Sequence, residues 1–265
     1  VSTMRGCPYT CRWCSRGVYG LSYRRRPVEQ VIDELAEIQQ RYAPDRFWFV
    51  DDVFTVSQKW LQEFADAIEK RGLRIQYECI TRADRMNEAV IELLKRSGCV
   101  QVWVGAESGS QAVIDAMDRR VDVQRVRDMI KAARSAGIGT GTFIMLGYPG
   151  EREDDILETV EHLKESSPDV FTITVAYPIS GTELHAQVAS ELERPVPWEL
   201  GSDRELDFPR AYRKPYYGHA VRYVVNEVAW HKAQQRGRPT TPRAIRHKLR
   251  ALSGRAGMLL WRSLS

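Results

Sequence analysis

The sequence lacks any run of about 18 apolar residues, so no ordinary membrane-spanning helix is expected. It also lacks the charged, apolar and small-residue order of a secretory leader. Cysteine is scarce: there are five, and three crowd into RGCPYTCRWCSRG, from Arg5 to Gly17. A closed zinc site wants four ligands, and a disulfide framework wants an even count. The other two, Cys79 and Cys99, lie far off in apolar stretches and read as small buried residues. A reducing cytoplasm is the expected location, and there a cysteine cluster reads as metal ligands or a catalyst. Acid is what the tail lacks. From Arg210 onward 13 Lys and Arg face one acid, Glu227, whereas the residues before it hold 26 basic and 34 acidic side chains. An initiating Met is missing too, and the chain is expected to begin inside a strand of a longer protein.

What is present reads as an ordinary globular α/β chain of 265 residues, 43% hydrophobic and 28% charged. Val28, Val31, Ile32, Leu35 and Ile38 recur at helical spacing after Pro27. RFWFVDD (46–52) reads as a buried strand, and SQKWLQEFADAIEKRG as a helix from an N-cap at Ser57 to a stop at Gly72. Strands at 75–80, 100–108, 138–147 and 170–178 alternate with further helices. With the first residues as a stub, six strands alternate with five helices. The strands are apolar runs, as in a parallel sheet covered on both faces. Each ends in polar or special residues: Cys7 to Cys14, Asp51 and Asp52, Thr81 and Arg82, Glu107 and Ser108, Gly147 to Glu151, and Pro178 to Thr182. An open doubly wound sheet and a barrel both fit this alternation. Loops at the C-terminal strand ends build the site of an α/β barrel, which favours the barrel, and a partial (β/α)6 barrel of TIM type is the expectation over 1–184. Pro195, Pro197, Gly201 and Pro209 mark a loop within a 185–265 extension that ends in basic helices.

Three thiolates on one tight loop suit an iron–sulfur cube with one iron left open to a substrate. Arg5, Arg12 and Arg16 favour thiolates and offset cluster charge. The residue-level alternative is zinc with a distant fourth ligand, His162 or Cys79.

The C-x3-C-x2-C pattern of Cys7, Cys11 and Cys14, with Trp13 before the last cysteine, resembles the signature of the radical S-adenosylmethionine (SAM) enzymes. That resemblance implies a [4Fe-4S] cluster on the three cysteines, SAM on the open iron, and reductive cleavage of SAM to a 5′-deoxyadenosyl radical. It implies a full or partial α/β barrel with the cluster loop after the first strand. FVDDVF (49–54) stands where many members bind the SAM amino group through Gly-Gly-Glu; here Asp51 or Asp52 takes that place. VGAESGSQ (104–111) resembles the stretch whose acid contacts the SAM ribose, which makes Glu107 the candidate, with Ser108 allowing close approach. MLGYPGE (145–151) resembles the stretch beside adenine, through Gly147 and Pro149. Arg82 is placed to meet the SAM carboxylate, or to form a structural salt bridge. YPISGTEL (177–184) is similar to the sixth-strand ending of the cobalamin-dependent subgroup, with Ser180 for a commoner proline, and Tyr177 faces either substrate or core.

The subgroup resemblance implies methylation or cyclisation of an organic or lipid-like small molecule, with a flavodoxin- or ferredoxin-type electron donor. Cobalamin is expected in an intact parent with an upstream domain, not on this chain, which has no D-x-H-x-x-G pattern. The alternatives are a tRNA methylthiotransferase-like enzyme and a non-enzymatic zinc or iron–sulfur interaction module. Of the basic tail, Leu249, Leu252, Met258, Leu259, Leu260 and Trp261 beside Arg and Lys suit a membrane surface. RNA binding and a plain solvated face are the other readings.

Overall fold

The computed structural model describes residues 1–15, 20, 22–193 and 200–263. Arg16, Gly17, Pro195 and Pro197 therefore lie outside the described residues. The chain opens with β1 (Met4–Arg5) and β2 (Arg24–Arg25), paired antiparallel around the cysteine loop. There follow α1 (Val28–Tyr42), β3 (Phe47–Phe49), α2 (Gln58–Arg71), β4 (Tyr77–Thr81), α3 (Glu88–Arg96) and β5 (Cys99–Glu107). Next come α4 (Gln111–Ala116), α5 (Val123–Ser135), β6 (Gly139–Leu146), α6 (Glu153–Ser166), β7 (Val170–Val175) and α7 (Glu183–Val188). Two long helices, α8 (Lys214–Gln235) and α9 (Pro242–Arg262), close the chain.

Strands β3 to β7 form one parallel sheet in sequence order, curled as a half-barrel. The expected first strand is reduced to one residue's ladder: Val1 donates to the Trp48 carbonyl at 2.9 Å and accepts from Val50 N at 3.0 Å. Beyond it the chain turns away into the antiparallel pair.

Local signals set the helices. Ser57 Oγ accepts from Trp60 N, and Gly72 ends α2 at φ 64°. The spacing in α1 buries Val28, Val31, Ile32 and Leu35, while Ile38 is half-buried. Phe49, Phe54 and Tyr77 pack beneath α2 around its Phe64, with Phe49 and Phe54 stacked at 4.8 Å. Each large apolar side chain buried there contributes about 1.5–3 kcal/mol. Along β3, Phe47 and Phe49 face this core, and Trp48 between them faces the other side of the sheet. There Trp103 stacks on Phe143 at 5.1 Å. A Cβ on Gly141 would lie 2.4 Å from the Trp103 ring, so glycine is needed beneath it.

The C-terminal helices share the main core. Tyr216, Tyr217, Ala220, Val224 and Val228 of α8, and Met258 of α9, belong to the same buried cluster as the sheet. A second, smaller cluster lies under the C-terminal strand ends. It joins Val113, Ile114, Met117, Tyr148, Leu184 and Phe208, with Trp13 and Met145 packed against it.

Candidate active site at the C-terminal strand ends

The cysteine loop is tied down from three strand ends. After β3, the buried Asp51 carboxylate accepts from Thr3 N at 2.7 Å, Met4 N at 3.0 Å and the Thr3 hydroxyl. Arg25 Nη1 stands 3.6 Å from the same carboxylate. After β5, the Met117 carbonyl accepts from Arg12 N at 3.1 Å, and Asp118 accepts from the Thr10 hydroxyl at 2.7 Å. After β7, Leu184 N donates to the Arg12 carbonyl at 2.9 Å. Gly6 admits the chain to the loop at φ 83°, where a Cβ would sit 2.0 Å from the Ser22 carbonyl oxygen.

Two buried guanidiniums converge on the sulfur of Cys11. Arg82 Nη1 donates to it at 3.4 Å, and Arg119 Nη1 lies 3.8 Å away. Arg82 is held by Asp84 (2.9 Å) and the Arg119 carbonyl (2.7 Å), and its guanidinium lies 3.9 Å over the Tyr9 ring. Arg119 bonds the Gly105 carbonyl at 2.6 Å and stands 3.8 Å from the Glu107 carboxylate. Its guanidinium also faces the Trp13 ring at 5.6 Å. The cations at the thiols thus come from the β4 and β5 loops. Arg12, expected in that role, turns to Glu183 (3.6 Å) and the Ala116 carbonyl (3.3 Å).

Cys14 and Glu107 line one cavity of ≈ 340 Å³. Trp13, Phe143, Ile144, Met145, Tyr177 and Ile179 supply its apolar wall, and Thr172 and Thr174 supply hydroxyls. Glu107 has φ 67° and follows a register break between β5 and β6. Such strain and such breaks re-aim side chains at functional sites. Burial raises the Glu107 pKa, while Arg119 and then Arg82 oppose the rise.

All three cysteines are free. Burial pushes the Cys14 thiol up to about 12, and the neighbouring Cys11, Asp52, Cys7 and Glu107 add to the rise. Burial raises Cys7 as well, with Asp52 and Cys11 among the causes. These thiols need a cationic partner to become thiolates together, and iron supplies one. Among the described residues, no three His, Cys, Asp or Glu side chains are grouped to hold one metal ion. A cube instead takes each thiolate to a different iron. The donor set, with N–H groups aimed at sulfur, therefore fits a cube. Neither proposed distant zinc ligand fits so well. Cys79 has Cys99, Asp51 and Arg25 around its thiol, and His162 is buried in α6 beside Gly109.

The structure places the other expected residues variously. Asp51 spends its carboxylate on residues 3 and 4. Asp52 is exposed as a residue and acts electrostatically on Cys7 and Cys14; enclosure of its carboxyl, then Asp51, raises its pKa. Ser108 is buried against Thr159 of α6 at 3.2 Å and accepts from Ser110 N. Gly147 has φ 79° and donates its N–H to Glu151, with Arg210 crossing its Cα side. Pro149 follows in the same turn, half-buried. Ser108, Gly147 and Pro149 stand outside the lining of the Glu107 cavity. Arg119 was not singled out in the sequence. Its one signal is a charged triplet, DRR, between apolar Met117 and Val121, where Asp118 and Arg120 take φ 49° and 54°.

A family model described as the Radical SAM superfamily matches residues 1–163. An uncharacterized methyltransferase of Pyrococcus horikoshii is 32% identical over 186 residues, 69% of this chain and 40% of that protein. The cytidylyl-2-hydroxyethylphosphonate methyltransferase of Streptomyces wedmorensis is 30% identical over 190 residues, 69% of this chain and 36% of that protein. The chain thus spans well under half the length of either relative. Among solved structures, the radical S-adenosylmethionine methyltransferase TsrM from Kitasatospora setae, with cobalamin and a [4Fe-4S] cluster bound, superposes with a TM-score of 0.67. The match has 17% identity and covers 77% of this chain and 45% of that one, so it supports the fold.

Proposed function

The chain belongs to the radical SAM superfamily and is an enzyme, and we propose that it cleaves SAM reductively to begin methylation or cyclisation of an organic substrate. The observation that carries this reading is the shared cavity: Cys14, from the first loop, and Glu107, from the end of β5, line one space. Cys7, Cys11 and Cys14 would hold a [4Fe-4S] cluster, which when bound supplies the electron that breaks a carbon–sulfur bond of SAM. Glu107 accepts the vicinal hydroxyls of the SAM ribose, a pairing natural to a carboxylate. Asp52 accepts from the SAM ammonium, since Asp51 is occupied by the loop backbone. Arg82 and Arg119 hold positive charge at the Cys11 sulfur, which stabilises the reduced, more negative state of the site. The apolar wall of Phe143, Met145 and Ile179 receives the body of an organic substrate and keeps water from its reacting carbon.

The methyltransferase relatives favour methylation, and the cobalamin of the structural neighbour suggests a corrinoid methyl carrier in the intact protein. An electron donor of flavodoxin or ferredoxin type, in a cytoplasm that keeps thiols reduced, completes the reading.

The test is anaerobic reconstitution with iron and sulfide, then reduction and addition of SAM. About four irons per chain and formation of 5′-deoxyadenosine are expected. Bound zinc without SAM cleavage would overturn the proposal. Glu107→Ala should weaken SAM binding and leave the iron in place; unchanged SAM affinity would remove Glu107 from the ribose.

A further inference from the structure

The outer face of α9 carries an apolar crest. Ile245, Leu249, Leu252, Leu259 and Leu260 are 46%, 62%, 55%, 52% and 60% exposed. Their spacing puts them on one side of the helix. The opposite side, with Ala244, Ala251, Gly254 and Met258, is buried. Gly254 brings α9 close to α8: a Cβ there would meet Tyr223 N at 2.7 Å. Trp261 and Met258, apolar residues of the same helix, turn out to pack inward.

The crest has two basic flanks and no acid between residues 242 and 262. Lys248, Arg255 and Arg262 on one flank are tied to the body, through Glu227 at 3.5 Å and Glu153 at 2.8 and 3.1 Å. On the other flank stand Arg243, Arg246 and Arg250, and among the described residues no carboxylate pairs with them. Beside the start of α9 lies a cleft of ≈ 460 Å³ lined by Lys232, Arg236, Arg238, Arg243 and His247. Its one acid, Asp169, is already engaged by Thr140 N at 2.8 Å and by Arg134 at 3.7 Å. Burial, followed by the charges of Arg243, Arg250 and Arg246, pushes the His247 pKa down.

We propose that this face docks the protein on an anionic phospholipid bilayer, with the leucine crest in the headgroup–acyl boundary and headgroup phosphates on the Arg243–Arg246–Arg250 flank and in the cleft. An apolar crest beside unpaired cations is the pattern of an interfacial helix. The cationic surface continues past the helix into the α8–α9 turn at Arg236 and Arg238. A lattice of phosphates meets that width; the edge of a single partner helix does not. A second copy would bring its own cations against these. Among the described residues no helix is long and apolar enough to cross a membrane. The cleft borders Asp169 at the start of β7, so the cleft and the start of α9 lie at the end of the sheet away from the cysteine loop, and the crest runs from there toward Glu153 after β6.

The test is flotation of the chain with phosphatidylglycerol–phosphatidylcholine vesicles and with pure phosphatidylcholine vesicles. Binding is expected only with the anionic vesicles. It should be lost near 1 M salt, where the screening length is about 3 Å. Two double variants, Leu249→Glu with Leu252→Glu and Arg238→Glu with Arg243→Glu, should each abolish flotation. All four side chains are exposed, and circular dichroism should show unchanged helix content. No flotation, or equal flotation with both vesicles, would overturn the proposal. So would light scattering that shows a dimer dissociated by the Leu249→Glu and Leu252→Glu pair, which would assign the crest to protein contact. Neither readout needs iron or SAM.

Discussion

The Arg119 guanidinium stands 3.8 Å from the Cys11 sulfur, with its other arm 2.6 Å from the Gly105 carbonyl. A cation from the β5 loop is thereby locked onto a sulfur from the first loop. Arg119→Met removes the charge and leaves the Gly105 carbonyl without this donor. A loss of about 1–3 kcal/mol of stability is expected from the buried unsatisfied group. After reconstitution the iron site should also reduce at a more negative potential. Redox titration of Arg119→Met beside Arg119→Lys checks this; equal potentials in both variants and the parent would rule out an electrostatic role.

Asp51 and Asp52 are adjacent but should behave oppositely. Asp51→Asn replaces an acceptor of several bonds with a group that also donates. Each charge-assisted hydrogen bond lost costs about 1.5–3 kcal/mol. Urea unfolding should show a large drop for Asp51→Asn and a change within about 0.5 kcal/mol for Asp52→Asn. SAM affinity, measured on the loaded protein, should fall for Asp52→Asn. Equal stability of the two variants would undo the assignment of Asp51 as the clamp on residues 3 and 4.

Gly6→Ala is expected to disable the loop. A left-handed conformation costs a non-glycine residue about 1–2 kcal/mol, and the methyl group would also strike the Ser22 carbonyl. Iron content after reconstitution should collapse while far-ultraviolet circular dichroism stays near that of the parent. Full iron loading would show that the loop reaches its ligand geometry by another turn.

Burial raises the Glu151 pKa to about 8, the Gly147 N–H opposes the rise, and Asp155 adds to it. The folded state therefore holds this proton more tightly than the unfolded one. Below about pH 4.5 both states are protonated and the group is neutral in the balance. As pH rises toward about 8, stability falls by about 1.4 kcal/mol per unit, because only the unfolded state ionises freely. Glu151→Gln, which keeps an oxygen for Gly147 N–H, should be more stable than the parent at pH 8 and equal to it near pH 4.5. Urea titrations across that range measure the difference; parallel curves for the two proteins would mean that Glu151 is ionised in the fold.

The alternation of apolar runs and capped helices made the sheet readable, because Ser57, Gly72 and the α1 stripe act within a few residues. The cysteine motif was readable for the same reason. The first strand was not, since only Val1 keeps the ladder and the chain then leaves for the β1–β2 pair. Asp51 and Asp52 look alike in sequence; what separates them is the backbone of residues 3 and 4, brought there by the fold. Arg119 escaped notice because its partners, Cys11 and Gly105, are set by tertiary contact rather than by spacing. The α9 crest was legible as a list of leucines, but which side of the helix faces out depends on Gly254 meeting Tyr223.

Arg12 is a rivet. Its N–H is fastened to Met117 after β5, and its carbonyl to Leu184 after β7. One residue between two cysteines thus bridges the ends of strands separated by β6. Flexing the sheet about β6 would pull on both bonds at once and drag Cys11 and Cys14 with them. The curl of the half-barrel and the spacing of the thiols are therefore a single mechanical degree of freedom, so a force that opens the one must distort the other.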